Sequence, residues 1–122
     1  MWLTIPVGSS VHRRIRYVAI ADPQSGRAHW KRLSANYGRA RCFDETADWL
    51  LSLYCGGHWS ALRVVNECLV RSICSRLGVS TQLSRSIDYE LDDGRTERLV
   101  SICRQAGATT YVSGPSARAY LA

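Results

Sequence analysis

The residues best suited to chemistry lie near the C-terminus, where a β-prone run over 109–112 breaks at Ser113-Gly114-Pro115-Ser116. The residues after the break favour a helix. Backbone N–H groups at a helix N-terminus carry partial positive charge and suit an anion. Ser113, Gly114 and Ser116 are therefore predicted to bind the anionic group of a substrate, although a tight turn that requires glycine would explain the same residues.

A second polar group, Arg85 and Ser86, ends the strand-like run 79–87, and Glu97 follows in the first turn of a helix-prone segment. Strand, helix and strand with short connections indicate a right-handed parallel βαβ unit. Because parallel strands end at one edge of a sheet, Arg85 and Ser86 are expected to face the same crevice as Ser113. Glu97 would orient a hydroxyl or act as general base. The simpler explanations are a helix-dipole interaction for Glu97 and a surface salt bridge for Arg85.

The elements that would position these residues follow from periodicity. Residues 2–7 and 14–20 alternate like two strands, which would form either a hairpin or neighbouring strands with a loose connection, and Asp22-Pro23 begins a turn. Helices are predicted over about 24–37, 45–54 and 58–77, with Asp44 as an N-cap. The predicted fold class is α/β: a small sheet with a C-terminal parallel βαβ unit and an inserted helical pair.

Length and composition predict a single domain over residues 1–122, expected to be incomplete at both ends because it begins in a strand and ends in a short helix. An apolar fraction of 46% and a charged fraction of 21% are typical of a folded protein. No apolar run reaches the roughly 18 residues that span a bilayer, and the first residues do not resemble a signal peptide. A cytoplasmic location is expected.

The cysteines and histidines do not form a recognisable metal or disulfide pattern. The number of cysteines, five, is odd, and none forms a Cys-x-x-Cys pair. The histidines lie far apart in the sequence. The sequence therefore predicts no metal and no cofactor, and Cys68, Cys74 and Cys103 are predicted to be buried thiols in helices.

Positive charge is concentrated in the first third of the chain. Residues 1–41 contain eight basic residues and a single acid, Asp22, whereas the net charge of the whole chain is +6. Such a segment attracts nucleic acid, a phosphorylated small molecule or an acidic partner. The residues that would neutralise phosphates are Arg13, Arg14, Arg16, Lys31 and Arg32. No helix-turn-helix, zinc-finger or RNA-recognition pattern accompanies them, so the sequence argues against nucleic acid.

An ordered set of segments resembles the WbqC-like family, bacterial proteins found in gene clusters for O-antigen and other surface polysaccharides. No single segment is specific, but the set covers most of the chain in the family's order. A His-Gln-Pro-Asn-Tyr-type opening, usual in the family, does not precede Trp2. The matching segments are Trp2-Leu3-Thr4-Ile5-Pro6-Val7, His29-Trp30, Asn36-Tyr37-Gly38-Arg39-Ala40, Phe43-Asp44, Ile73-Cys74-Ser75-Arg76-Leu77-Gly78, Arg85-Ser86, Arg95-Thr96-Glu97-Arg98-Leu99 and residues 107–121.

This resemblance implies a transferase of surface-polysaccharide biosynthesis that moves glycine or another small group onto a nucleotide-activated sugar. The expected partner is an anionic small molecule, either a nucleotide sugar or a sugar phosphate. If the absent N-terminal histidine contributes to catalysis, this chain would bind without turnover. The alternative is a non-enzymatic module, which either binds nucleic acid through the basic first third of the chain or is completed by another chain. The sequence is also compatible with a homo-oligomer.

Overall fold

The computed structural model describes residues 2–8, 14–57 and 59–119. Within these ranges the regular secondary structure is helical. The α-helices are α1 (Ser25–Tyr37), α2 (Phe43–Cys55), α3 (Leu62–Arg76) and α4 (Arg95–Gln105), and short 3₁₀ helices span Ile15–Tyr17, Ser86–Asp88 and Pro115–Ala119. The β contribution in the described residues is two isolated antiparallel bridges, Val7 with Ile20 and Ala19 with Ala61. The predicted α/β fold with a parallel sheet is therefore wrong.

The predicted N-terminal hairpin does not form, and a single bridge between Val7 and Ile20 remains of it. The reasons lie in the local sequence and backbone of the two segments. Ala21 donates its N–H to the Pro6 carbonyl at 2.9 Å, but proline has no N–H to continue a ladder. The 3₁₀ helix Ile15–Tyr17 then interrupts the second predicted strand. The extended residues that follow this 3₁₀ helix form backbone hydrogen bonds with the turn before α3 instead. Ile20 donates its N–H to the Ser60 carbonyl, and Leu62 donates its N–H to the Val18 carbonyl.

The predicted βαβ unit is also wrong, because neither flanking segment forms a strand. Of the predicted strand 79–87, the residues up to 85 are irregular and the last two belong to the 3₁₀ helix Ser86–Asp88. Residues 109–112 are also irregular. Alternating or β-branched residues favour extended backbone, but a strand also requires a neighbour that pairs with it along its length. The helix between the two segments is confirmed as α4.

The helix predictions are largely confirmed, and glycines end two of the helices. Gly78 has φ +70° after α3, and Gly107 has φ +65° after α4. In both cases the N–H of the glycine and the N–H of the next residue donate to carbonyl groups in the last turn of the helix, as in a Schellman motif. The helix predicted from residue 58 begins later, since Ala61 is extended and forms a bridge. Asp44 lies in the first turn of α2, and Cys42 occupies the N-cap position.

The contacts within the chain divide it into two compact units, residues 1–80 and residues 81–122. In the first unit, Ile20, Trp59 and Val65 form a buried cluster. The side chains that pack around this cluster are Ile5, Tyr54, Leu62 and Leu69. The rings of Trp30 and Phe43 stack at 5.9 Å and join α1 to α2. In the second unit, residues 81–122, α4 is the longest element.

The face that α1 presents to the core is polar and small rather than apolar. Its buried residues are Ser25, Gly26 and His29. The Nε2 atom of His29 lies 2.9 Å from the Thr4 carbonyl oxygen, and its ring meets the Trp59 ring edge-to-face at 5.5 Å. The Ser25 hydroxyl donates to the Asp22 carbonyl at 2.7 Å. Each of these polar groups is therefore satisfied inside the fold, as burial requires.

Gly26 provides a first test of this packing. A Cβ at position 26 would collide with the Tyr54 carbonyl oxygen and lie 2.7 Å from Cε2 of Trp59. Because a backbone oxygen cannot rotate away, we expect Gly26→Ala to lower the free energy of unfolding by about 1–3 kcal/mol. The measurement is urea denaturation, in which the midpoint should fall while the m-value stays constant. Gly57→Ala, where the added Cβ meets no atom within 4 Å, is the matched control; equal midpoints for the two variants would contradict the packing.

Tyr54 provides a second test, because burial raises the pKa of its phenol above the ordinary value of 10.0. The unfolded chain then releases this proton at a lower pH than the folded chain does. The stabilisation is complete below pH 10 and is lost as the pH rises through the folded-state value. We expect the stability of the wild type to fall more steeply above pH 10 than that of Tyr54→Phe. Tyr111→Phe, at an exposed position, should keep the wild-type slope; identical slopes for all three chains would exclude this effect.

Candidate functional site

The loop that carries Arg85 and Ser86 is attached to α4 by the side chain of Gln105. Glu90 donates its N–H to Gln105 Oε1 at 3.0 Å, and Gln105 Nε2 donates back to the Glu90 carbonyl at 2.7 Å. The Ser101 hydroxyl donates to the same carbonyl at 2.9 Å. One amide side chain thereby pairs with both backbone groups of Glu90, as a neighbouring strand would. This pairing sets the position of the loop relative to the helix.

Within the loop, local hydrogen bonds order the polar residues. Arg85 donates its N–H to Asp88 Oδ2 at 3.0 Å, and Asp88 donates its N–H to the Arg85 carbonyl at 2.9 Å. The Tyr89 hydroxyl donates to Ser84 Oγ at 2.7 Å. Arg85 and Ser86 are themselves exposed at this turn. The backbone of the loop is thus fixed by hydrogen bonds within its own turn.

Glu97 occupies the third position of α4, after the N-cap Gly94. Gly94 has φ +103°, which favours glycine, and a Cβ there would collide with the Glu97 carboxylate. The Glu97 side chain therefore folds back over the start of its own helix. In this position the negative charge interacts favourably with the helix N-terminus. The structure thus gives Glu97 a local role, and a role as general base requires its carboxylate to turn outward.

The segment with Ser113, Gly114 and Ser116 differs from its prediction. These three residues are exposed, but the element that follows is a five-residue 3₁₀ helix, Pro115–Ala119. Its described backbone bond joins the Ala117 N–H to the Gly114 carbonyl at 3.0 Å. So short an element does not accumulate the dipole of an α-helix. The predicted anion site at a helix N-terminus therefore loses its electrostatic basis, and the exposed hydroxyls and N–H groups remain.

The pairing of Gln105 with Glu90 connects the loop to the C-terminal end of α4, whereas Glu97 lies in the first turn of the same helix. This pairing therefore does not place Arg85 and Ser86 beside Glu97. The expected approach of Ser113 to Arg85 depended on two parallel strands, and neither strand forms. Among the described residues no group of three or more histidine, cysteine or acidic side chains is placed to hold a metal ion.

Sequence reasoning missed His29, which is 5% exposed and connects α1 to the N-terminal segment. A histidine in a basic, weakly amphipathic helix gives no periodic signal of burial. The available signal was the small residues Ser25 and Gly26 at the preceding turn, since Gly26 admits the Tyr54 carbonyl and the Trp59 side chain. Its Nε2 contacts a backbone carbonyl, so the described contact of His29 is structural.

The exposed surface of α1 is cationic. Arg27, Lys31 and Arg32 are exposed, and Arg32 Nη1 lies 3.5 Å from the Trp2 carbonyl oxygen. No acidic residue occurs between Asp22 and Asp44. Arg14 and Arg16 are also exposed, with the Arg16 guanidinium 4.9 Å from the centre of the Tyr17 ring. Arg13, which belongs to the same predicted set, lies outside the described residues.

The described residues thus define a small helical protein with a polar, arginine-containing loop on α4 and a cationic face on α1. This chain belongs to the WbqC-like protein family, whose profile matches residues 1–122. The resemblance found in the sequence is confirmed. Family membership does not by itself identify a reaction.

A curated relative supports the same assignment. The uncharacterized protein Rv1507c of Mycobacterium tuberculosis (strain H37Rv) is 48% identical over 122 residues, which cover 98% of this chain and 53% of the relative. The chain therefore spans about half the length of this relative. No solved structure matches the chain significantly. Among the described residues no helix is long and apolar enough to cross a membrane.

The contact between Gln105 and Glu90 can be tested by removing hydrogen bonding at constant side-chain length. Gln105→Met should release the Glu90 N–H, leave the Glu90 carbonyl with the Ser101 hydroxyl, and lower the free energy of unfolding by about 0.5–1.5 kcal/mol. Amide hydrogen exchange should accelerate at Glu90 but not at Asp88, whose N–H bonds within its own turn. Gln82→Met, at an exposed position before the loop, is the control. Unchanged exchange at Glu90 would show that Gln105 does not hold the loop.

Proposed function

We propose that the protein is a transferase of bacterial surface-polysaccharide biosynthesis that moves glycine or another small group onto a nucleotide-activated sugar. The observation that carries this proposal is the match of the entire chain to the WbqC-like family. The expected substrate is an anionic small molecule, a nucleotide sugar or a sugar phosphate. A cytoplasmic location is part of the same proposal.

The exposed polar residues of the second unit support binding of such a substrate. Arg85 can donate to phosphate oxygens in a bidentate arrangement, and Ser86 offers a hydroxyl on the same turn. Ser113 and Ser116 offer further hydroxyls, and Gly114 offers a backbone N–H without side-chain obstruction. Since the helix dipole no longer contributes, affinity for the anion would rest on these direct hydrogen bonds and on the charge of Arg85.

Glu97 is the proposed general base, which would accept the proton of the attacking hydroxyl or amine of the sugar. Its carboxylate would have to leave its place over Gly94 for this step. Glu97→Gln keeps the shape of the side chain and its packing at the helix start but cannot accept the proton. This variant therefore separates a catalytic role from the local one, because only a catalytic role predicts loss of turnover at nearly unchanged stability.

A second candidate function is binding of nucleic acid through the cationic face of α1. The specific observation that favours it is the exposure of Arg27, Lys31 and Arg32 in a stretch that contains no acidic residue. Binding of this kind releases counterions and weakens steeply as salt rises. Affinity for a nucleotide sugar through a few direct hydrogen bonds depends on salt much less, so the two candidates are distinguishable by one titration.

The deciding measurement is a thermal-shift screen against nucleotide sugars, sugar phosphates and glycine, with a short DNA as comparison. A ligand at about 100 times its dissociation constant stabilises the fold by roughly 2.7 kcal/mol. We expect a selective shift with a nucleotide sugar that is lost in Arg85→Ala and in Ser113→Ala. Arg63→Ala, an exposed arginine at the start of α3, is the control and should keep the shift.

Two outcomes would count against the transferase. A shift that persists in both site variants would remove Arg85 and Ser113 from the binding site. A shift produced only by DNA, with a steep salt dependence, would favour the second candidate instead.

A further inference from the structure

Trp2 differs from the other tryptophans of this chain in its exposure to solvent. Its side chain is 88% exposed, whereas Trp30 and Trp49 are half-buried and Trp59 is buried. Tryptophan is highly buried on average in folded proteins, because its large apolar ring gains free energy on leaving water. An indole that stays in water is therefore a candidate for contact with a ligand.

Two hydrogen bonds hold the backbone of the segment that carries Trp2 against α1. The Thr4 carbonyl oxygen lies 2.9 Å from His29 Nε2, and the Trp2 carbonyl oxygen lies 3.5 Å from Arg32 Nη1. Leu3 is half-buried between Trp2 and Thr4, which are both exposed. This alternation is typical of an extended segment with one side on the core. The indole thus stands in solvent beside Arg32, on a backbone that the fold positions.

Arg32 retains hydrogen-bond donors for a ligand. A guanidinium has several N–H donors, and the described contact of Arg32 uses Nη1 with a backbone carbonyl rather than with a carboxylate. Ala28 and Ala35, which lie one turn before and one turn after Arg32 on α1, are exposed and leave room beside the guanidinium. The exposed charges of Arg27 and Lys31 raise the positive potential of the same helix.

We propose that Trp2 and Arg32 form a binding site for a nucleoside phosphate. The base stacks on the indole, and the phosphate oxygens accept hydrogen bonds from the guanidinium. An aromatic side chain stacks with any base, because every base has a π-face, and the planar fork of arginine matches two phosphate oxygens. The site uses no residue of the α4 loop, so it goes beyond the transferase proposal, and it shares only Arg32 with the second candidate function.

A second exposed pair of arginine and aromatic residue, Arg16 and Tyr17, lacks the feature that the proposal requires. Tyr17 is 63% exposed, but the Arg16 guanidinium lies over its ring at 4.9 Å from the centre. The cation therefore occupies a ring face that a base would need. At Trp2 the arginine contacts the backbone instead and leaves the indole open. Arg16→Ala/Tyr17→Ala is thus a matched control, since it removes one arginine and one exposed ring from the same unit.

The first experiment is isothermal titration calorimetry of the full chain with ADP and with inorganic pyrophosphate. We expect Trp2→Ala to raise the dissociation constant of ADP about tenfold or more, and Trp2→Phe, which keeps an aromatic face, to change it by less than about threefold. Pyrophosphate, which has no base, should bind more weakly than ADP and be unaffected by Trp2→Ala. Arg32→Ala should weaken both ligands about tenfold. The control variant should bind both as the wild type does, and circular dichroism melting confirms that all variants fold.

A short oligothymidylate, titrated in the same way, identifies the source of the nucleoside phosphate. Tighter binding of the oligonucleotide than of ADP, with a steep salt dependence, would support the site and make single-stranded nucleic acid its ligand. Tighter binding of ADP would support the site and make a mononucleotide its ligand. Oligonucleotide binding that is unchanged in Trp2→Ala would overturn the site while leaving the second candidate function intact. Absence of ADP binding, or equal losses in Trp2→Ala and the control variant, would also overturn it.

Discussion

The first unit depends on one partly buried hydrogen bond, between Nε2 of His29 and the carbonyl oxygen of Thr4. This contact joins an extended N-terminal segment to a helix 25 residues later in the chain. The same imidazole lies edge-on to Trp59 and Tyr54, so it also connects α1 to the end of α2 and to the turn before α3. Because few side chains in this unit are fully buried, a satisfied polar group at the centre has a large share in fixing how the elements meet.

The second unit uses the same principle with a different side chain. Gln105 pairs with both backbone groups of Glu90 and thereby replaces the neighbouring strand that the sequence pattern suggested. The exposed arginine and hydroxyls of the loop are positioned by this amide and by the turn around Asp88. A loop whose backbone is already ordered binds a ligand at a lower conformational cost, because only its side chains remain to be ordered.

The surfaces of this chain serve different purposes in the proposed account. The cationic face of α1 and the arginine of the α4 loop attract anions, consistent with a phosphorylated substrate. One side of α3, by contrast, leaves the apolar side chains of Val70, Ile73 and Leu77 exposed.

The sequence by itself determined the helices, their glycine ends and the family. Periodic apolar residues and the glycines at 78 and 107 act locally, so their effect can be read without knowledge of the rest of the fold. The N-terminal and C-terminal extended runs were misjudged, because a strand exists only through its partner and no local pattern shows whether that partner is present. The identity of Arg85, Ser86 and Ser113 as exposed polar residues was predictable, but their relative placement depended on the mistaken sheet.

Only the tertiary structure decided the roles of His29 and Gln105. Each acts through a backbone group distant in sequence, Thr4 for the histidine and Glu90 for the amide, and such a pairing leaves no periodic trace. The structure also decided that Glu97 folds over Gly94 and that one side of α3 remains uncovered. Local propensity determines which segments become helices, whereas long-range hydrogen bonds and packing determine which of their faces are buried, paired or exposed.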